Sequence, residues 1–245
     1  MIVINDLTVA YPDGTKAIDG LSLTIDAGER VAVAGANGAG KTTLMLAIVG
    51  VLPAVNGFIT VDGTAVKKDT LGEIRARAGL LFQNPDDQLF MPTVYDDVAF
   101  GPRNRGMRED EVRRVVDETL SRLGAAHLKD RSSLKLSGGE KRIAAIAAVL
   151  ATRPSALLFD EPTAFLDIKA RRNLIGTING LHQTKLIASH DLSFLLETCT
   201  TAVLLKDGKV YAKGSAHELL NDEQTMLGCD LEPAAYVAAK GGRNG

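Results

Sequence analysis

The run Gly35-Ala36-Asn37-Gly38-Ala39-Gly40-Lys41-Thr42 has the spacing G-x-x-x-x-G-K-T. Glycines let a backbone wrap a polyphosphate with successive N–H groups pointing inward. A helix opening at Lys41 adds its positive end. Lys41 then reaches β- and γ-phosphates, and the Thr42 hydroxyl ligates Mg²⁺. Alone, this loop fits an NTPase or a small-molecule kinase. Further along, Ala156-Leu157-Leu158-Phe159 is an apolar run ended by Asp160 and Glu161. Ligands bind beyond the carboxyl ends of strands in open α/β sheets. There Asp160 is placed to hold Mg²⁺, and Glu161 to polarise a water for in-line attack on a γ-phosphate.

These residues need strands and helices to hold them. Apolar Val31–Ala34 predicts a strand running into the loop, and Lys41–Val49 the helix leaving it. Ile2–Tyr11 reads as a strand, with Pro12-Asp13-Gly14 as a turn. The next strand alternates, with Leu21, Leu23 and Ile25 on one face and Ser22, Thr24 and Asp26 on the other. Gly57–Asp62 and Gly79–Phe82 read as further strands. From 84 to about 153 the character changes. Pro85, Pro92 and Pro102 punctuate loops, then helices are predicted over Asp110–Leu123, with Gly124 as its cap, and from Ser137 to before Pro154. Alternation then resumes with strands at Ala156–Phe159 and Lys185–Ala188, and helices at Lys169–Leu181 and Asp191–Glu197. A hairpin, Thr201–Lys206 and Lys209–Lys213, closes the pattern across Asp207-Gly208. Alternation of this kind argues for a mainly parallel sheet with helices on both faces.

Composition excludes several classes. The 245 residues carry 28 basic and 30 acidic side chains, a net charge of −2, so the chain is no nucleic-acid polycation. Hydrophobic residues at 45% exclude a disordered chain, and aromatics at 4% with no Trp leave little for base stacking. The longest apolar run, Ile143–Ala151, is too short for a membrane span, and no secretion signal is read at the N-terminus. Cys199 and Cys229 stand far apart in no metal or redox spacing, which suggests a reduced cytosolic protein.

Leu136-Ser137-Gly138-Gly139-Glu140 opens the helix that precedes Asp160. With the phosphate loop and the Asp160-Glu161 pair, it resembles the nucleotide-binding subunits of ATP-binding cassette (ABC) transporters over nearly the whole chain. The resemblance implies an α/β fold of the P-loop NTPase class: an ABC ATPase core with an N-terminal antiparallel β subdomain and an inserted helical subdomain. It would form one domain, 1–245, with the insertion at 84–153 and a frayed tail at 241–245. The implied ligands are ATP and Mg²⁺. Tyr11 matches the aromatic that stacks on adenine, and Asn37, Gly38, Ala39, Gly40, Lys41, Thr42 and Thr43 the phosphate cradle. Gln83 matches the glutamine loop, a catalytic residue that joins Thr42 and Asp160 around Mg²⁺. Ala164-Phe165-Leu166-Asp167 matches the loop that crosses the dimer interface. His190 matches the switch histidine that acts with Glu161 at the γ-phosphate. The Ser137 hydroxyl and the Gly138 and Gly139 amides would form an anion nest for the ATP of a partner subunit, so that two subunits sandwich two nucleotides head to tail. Without the other motifs, Ser137-Gly138-Gly139 is a plain N-cap and Tyr11 a packed strand-end aromatic. Glu140 replaces the usual glutamine while leaving Ser137 intact, and Phe165 stands where the family often has Gly or Ala.

Phe82-Gln83-Asn84-Pro85-Asp86-Asp87-Gln88-Leu89-Phe90, followed by Thr93-Val94-Tyr95-Asp96-Asp97-Val98-Ala99-Phe100-Gly101-Pro102, resembles the ATPases of energy-coupling-factor (ECF) importers of cobalt, nickel or vitamins. There the stretch after the glutamine forms a short acidic helix lining a groove for the arginine-bearing coupling helices of a transmembrane T component. Asp86, Asp87, Asp96 and Asp97 would suit that basic partner. The implied assembly is two ATPases, a homodimer or a pair of paralogues, with the T component and a substrate-binding membrane protein. It would sit peripherally on the cytoplasmic membrane face without nucleic acid. The short chain favours the metal type, cobalt over nickel, with a biotin importer as the alternative. A soluble ABC protein acting on nucleic acid is the other competing reading, and a small-molecule kinase would leave Ser137–Gly139 and His190 unemployed.

Overall fold

The amino-terminal strands pleat as their alternation requires. β1 (Ile2–Ala10) and β2 (Lys16–Ile25) pair antiparallel across the Pro12–Gly14 turn. Leu21, Leu23 and Ile25 are buried while Ser22 and Thr24 face solvent. This computed structural model describes residues 1–234, so the tail expectation at 241–245 lies outside the described residues. β3 (Arg30–Ala34) leads through the Gly-rich loop into α1 (Lys41–Ile48). β4 (Asn56–Val61), β5 (Thr64–Ala65), α2 (Leu71–Arg77) and β6 (Ala78–Leu81) follow.

Between β6 and the next strand lie α3 (Val94–Asn104), α4 (Glu109–Arg122) and α5 (Gly138–Leu150). The remaining elements are β7 (Ala156–Asp160), α6 (Ile168–Asn179), β8 (Thr184–Ala188), α7 (Leu192–Thr198), β9 (Thr201–Lys206), β10 (Lys209–Ser215), α8 (Ala216–Leu219) and α9 (Glu223–Gly228). Among the described residues there are two sheets: a four-stranded antiparallel one in the order β2-β1-β4-β5, and a six-stranded one in the order β10-β9-β3-β8-β7-β6. In the second, β9, β3, β8, β7 and β6 run parallel and only β10 is antiparallel. Its central strands are apolar on both faces, as a covered parallel sheet demands. Val31, Val33, Leu158 and Leu186 pack with α1 and the antiparallel sheet. Ala32, Leu157, Phe159 and Ile187 pack with the helices on the opposite face.

Several elements depart from expectation. Residues around Pro92 and Pro102 are not all loop, because Pro102 lies inside α3. It sits in the last turns, where its missing N–H forfeits one intrahelical bond and little else. The Thr93 side chain caps that helix by accepting from the Asp96 amide at 3.2 Å. The short helices α2, α8 and α9 were not anticipated, and residues 85–87 form one turn of 3₁₀ helix.

Candidate functional site

Parallel register brings the polar strand ends to one edge. Leu81 pairs with Phe159, Asp160 with Ala188, and Ala188 with Val33. The residues that follow these rows are Gln83, Glu161, Ser189-His190 and the loop at Gly35, so four parallel strands deliver their ends to one place. Close packing explains Gly35 and Gly40, and a positive φ of 80° explains Gly38. A Cβ on Gly40 would fall 2.6 Å from the Ala17 carbonyl oxygen, and Gly40 itself has φ 102°.

Lys41 is buried within its own loop, where Nζ donates to the Gly35 carbonyl at 2.7 Å and the Ala36 carbonyl at 3.2 Å. Burial lowers its pKa, opposed by Glu161 and Asp160 nearby. Thr42 Oγ1 donates to Asp160 Oδ2 at 2.8 Å. Burial raises the Asp160 pKa, while Thr42 and Lys41 pull it down. A buried carboxylate in contact with a hydroxyl is a pair of hard oxygen donors, the set Mg²⁺ takes while keeping waters and phosphate oxygens as its other ligands. The Tyr11 hydroxyl is 2.9 Å from Thr43 Oγ1, which holds the ring, 39% exposed, at the rim of the loop.

Glu161 has φ 45°, a left-handed conformation that costs an ordinary residue energy and clusters at functional sites. Its Oε2 accepts from the His190 amide at 3.1 Å and from Ser189 Oγ at 3.2 Å. Oε1 is buried with no hydrogen-bond partner, although His190 Nε2 lies 3.4 Å away without the alignment of a bond. The same Nε2 is 3.4 Å from Lys41 Nζ. Glu161 thus spends Oε2 on holding the Ser189-His190 turn, while Oε1 makes no hydrogen bond within the protein and remains an acceptor.

Ser137, Gly138 and Gly139 are not brought to this loop. They line a separate open cleft of about 750 Å³ with Phe165, Leu166, Asp167 and Ala170, and no residue of the phosphate loop lines it. Ser137 forms a capping box with Glu140 at the start of α5. Asp167 caps α6, accepting from the Ala170 amide at 2.7 Å. Beside it Phe165, at φ 62°, is 89% exposed.

Gln83 is exposed, and its carbonyl is gripped by a residue that sequence reading missed. Arg142, on α5, is 1% exposed and forks onto the Phe82 and Gln83 carbonyls, both at 2.7 Å. Burial pulls its pKa down to about 10. Lys141 Nζ adds a pair to Asp86 at 2.6 Å, and Gln88 Nε2 donates to the Ala145 carbonyl at 3.3 Å. Arg142 follows Glu140 and Lys141 directly, so the sequence reads it as one more charge at the solvated start of the helix. Ser189 was missed as well, since a serine before a histidine carries no pattern.

The proposed acidic rim needs correction. Asp97 is 4% exposed, and its Oδ1 accepts from the Phe90 and Met91 amides, both at 3.0 Å. It orders the loop before α3 and offers no surface charge. Asp96 is held by Thr93 and Arg103, and Asp86 by Lys141; Asp87 is exposed and its carboxylate accepts from the Asn84 amide group. What this face does expose is aromatic. Phe90 and Phe100 meet edge to face with centroids 5.0 Å apart, beside Phe82 and Val51 on a cleft of about 320 Å³. Among the described residues, no helix is long and apolar enough to cross a membrane.

Comparison with known proteins agrees with this geometry. The family model described as ABC transporter matches residues 18–164. The chain is 43% identical over 236 residues to the energy-coupling factor transporter ATP-binding protein EcfA of Methanothermobacter thermautotrophicus, covering 94% of this chain and 76% of the relative. It is 42% identical over 237 residues to the cobalt import ATP-binding protein CbiO of Rhodobacter capsulatus, covering 94% and 84%. The solved structure of cbiO1 from Clostridium perfringens, part of the ABC transporter complex cbiONQ, superposes with TM-score 0.81 at 36% identity over 93% of each chain.

Proposed function

The chain belongs to the ABC transporter family and is an ATPase, and from that premise we propose that it powers an ECF-type membrane importer whose cargo is cobalt ion. The observation that carries the ATPase mechanism is the convergence of Lys41, Thr42, Asp160, Glu161 and His190 at one sheet edge. The ECF assignment rests on similarity to relatives named for that importer type, and the cargo on the relative named for cobalt import.

In this reading Asn37–Thr43 wrap the phosphates of ATP while Tyr11 stacks on adenine. Lys41 exchanges its carbonyl partners for phosphate oxygens, and Thr42, Asp160 and Gln83 would hold Mg²⁺. Held there, Mg²⁺ would supply charge that neutralises the phosphates. Glu161 takes the proton of the attacking water with its free Oε1, and His190 contacts the γ-phosphate. Residues 84–153 act as the helical subdomain. Because Ser137–Gly139 stand apart from the chain's own phosphate loop, they serve the ATP of a second subunit, a homodimer being the simplest case. The aromatic cleft at Phe82, Phe90 and Phe100 receives a T component, with Asp86 and Asp87 on the preceding loop as its acidic contacts and a substrate-binding membrane protein beside it. The ATPase itself is peripheral on the cytoplasmic face.

Glu161→Gln tests the chemistry: turnover falls at least about a hundredfold while ATP binding persists. Unchanged turnover overturns the role of Glu161. The module is tested by purification from native membranes, where a T component is the expected companion. Cobalt-dependent uptake by the reconstituted assembly then tests the cargo. A companion of biotin-binding type would replace cobalt with a vitamin, and nucleic-acid-stimulated ATPase activity would revive the soluble reading.

A further inference from the structure

Ser137 has one hydroxyl proton, and the structure gives it to Glu140. Ser137 Oγ donates to Glu140 Oε2 at 2.9 Å, and the Ser137 amide donates to the same oxygen at 2.8 Å. In return Ser137 Oγ accepts from the Glu140 amide at 3.3 Å. Glu140 Oε1 accepts from Arg131 Nη1 at 2.9 Å, and Arg131 Nη2 holds the Lys135 carbonyl at 3.1 Å. Hydrogen bonds from the Ser137 amide and hydroxyl, with Arg131 beside them, keep the Glu140 carboxyl below its ordinary range, so it is ionised at neutral pH.

A carboxylate in this place does two things a neutral amide would not. It binds the hydroxyl proton by a charge-assisted bond, roughly twice as strong as a neutral one. It also occupies the positive end of α5, so an incoming phosphate gains less from that end and meets a like charge. A residue that completes the cap therefore competes with the anion that Ser137–Gly139 are proposed to bind.

We propose that Glu140 is a positioning residue that withholds the Ser137 hydroxyl from the partner subunit's nucleotide, and that Arg131 is the counter-charge onto which Glu140 swings when two subunits close. This rests on the reading that Ser137 serves ATP across a dimer. Glu140 thereby raises the ATP concentration needed for closure and holds ATP-free subunits apart. Arg131 is already anchored at one end of the pair, and only the Ser137 contacts of Glu140 must break.

The test measures dimerisation against ATP concentration by sedimentation, in the hydrolysis-blocked Glu161→Gln protein. Adding Glu140→Gln keeps an acceptor for the Ser137 amide and removes the charge. The doubly substituted protein is expected to dimerise at about fivefold lower ATP. Adding Arg131→Met instead raises the ATP requirement, and that increase vanishes when Glu140→Gln is also present. A purely structural capping role predicts the reverse, weaker dimerisation together with a lower thermal midpoint. An unchanged or higher ATP requirement with Glu140→Gln overturns the inference while leaving the shared-site reading in place. Failure of the Glu161→Gln protein to dimerise at saturating ATP overturns that reading, and this inference with it.

Discussion

Asp160 is a residue whose burial suits its ligand better than its own fold. Burial raises its pKa above the ordinary 3.8, so the folded chain holds the proton more tightly than the unfolded one. The stability linked to that proton is fully present below the unfolded value and is lost as pH rises through the folded one. Burial thus penalises the charged form of this carboxyl, a cost that grows as pH rises. Asp160→Asn is expected to raise the thermal midpoint of the ligand-free protein at pH 7, with the gain disappearing below about pH 4. The same variant should lose about a hundredfold in Mg²⁺-dependent hydrolysis. Phe165 shows strain of another kind, since φ 62° costs a side-chain-bearing residue energy and this ring is almost wholly exposed. Phe165→Gly should stabilise the isolated chain by about 1 kcal/mol, read from its urea midpoint. Asp160 and Glu161 were legible because they end an apolar run, whereas His190 was reached only through the family resemblance. Asp97 was misread because a charged letter suggests a surface, whereas two backbone amides account for its burial.

At the scale of elements, periodicity located most strands and the longer helices to within about three residues, with α3 and the short α2, α8 and α9 as exceptions. The one proline of α3, Pro102, reads as loop punctuation, although a proline near the end of a helix breaks little. Strand order was not legible at all. β4 lies beside β1 and β6 beside β7, and such pairing follows from how distant faces pack, not from local pattern. The contact between α5 and the glutamine loop was equally hidden. Arg142 satisfies two carbonyls that would otherwise lack these donors, and no spacing rule announces it. Arg142→Met fits the space but supplies no donors. We expect a loss of about 2 kcal/mol in urea unfolding, the missing hydrogen bonds being partly offset by the removal of a buried charge. Hydrolysis should fall about tenfold further than the loss of folded protein explains, because Gln83 loses its support.

At the scale of the whole molecule, two cores share one parallel sheet, and each buries a different face of it. The two cysteines sit within the core that includes the helical side, Cys199 at 7% and Cys229 at 1% exposure. Burial pushes the Cys199 thiol up to about 11 and raises that of Cys229. Neither can ionise readily nor meet a reagent while the chain is folded. The chain thus contains a built-in chemical clock for its own opening. With a fast alkylating reagent in excess, the labelling rate of the native protein reports how often these thiols are uncovered. Saturating ATP should slow that clock in proportion to its binding, by about a hundredfold at a hundred times the dissociation constant. Equal labelling rates with and without ATP would mean that the thiols are exposed by a local motion that nucleotide does not restrain.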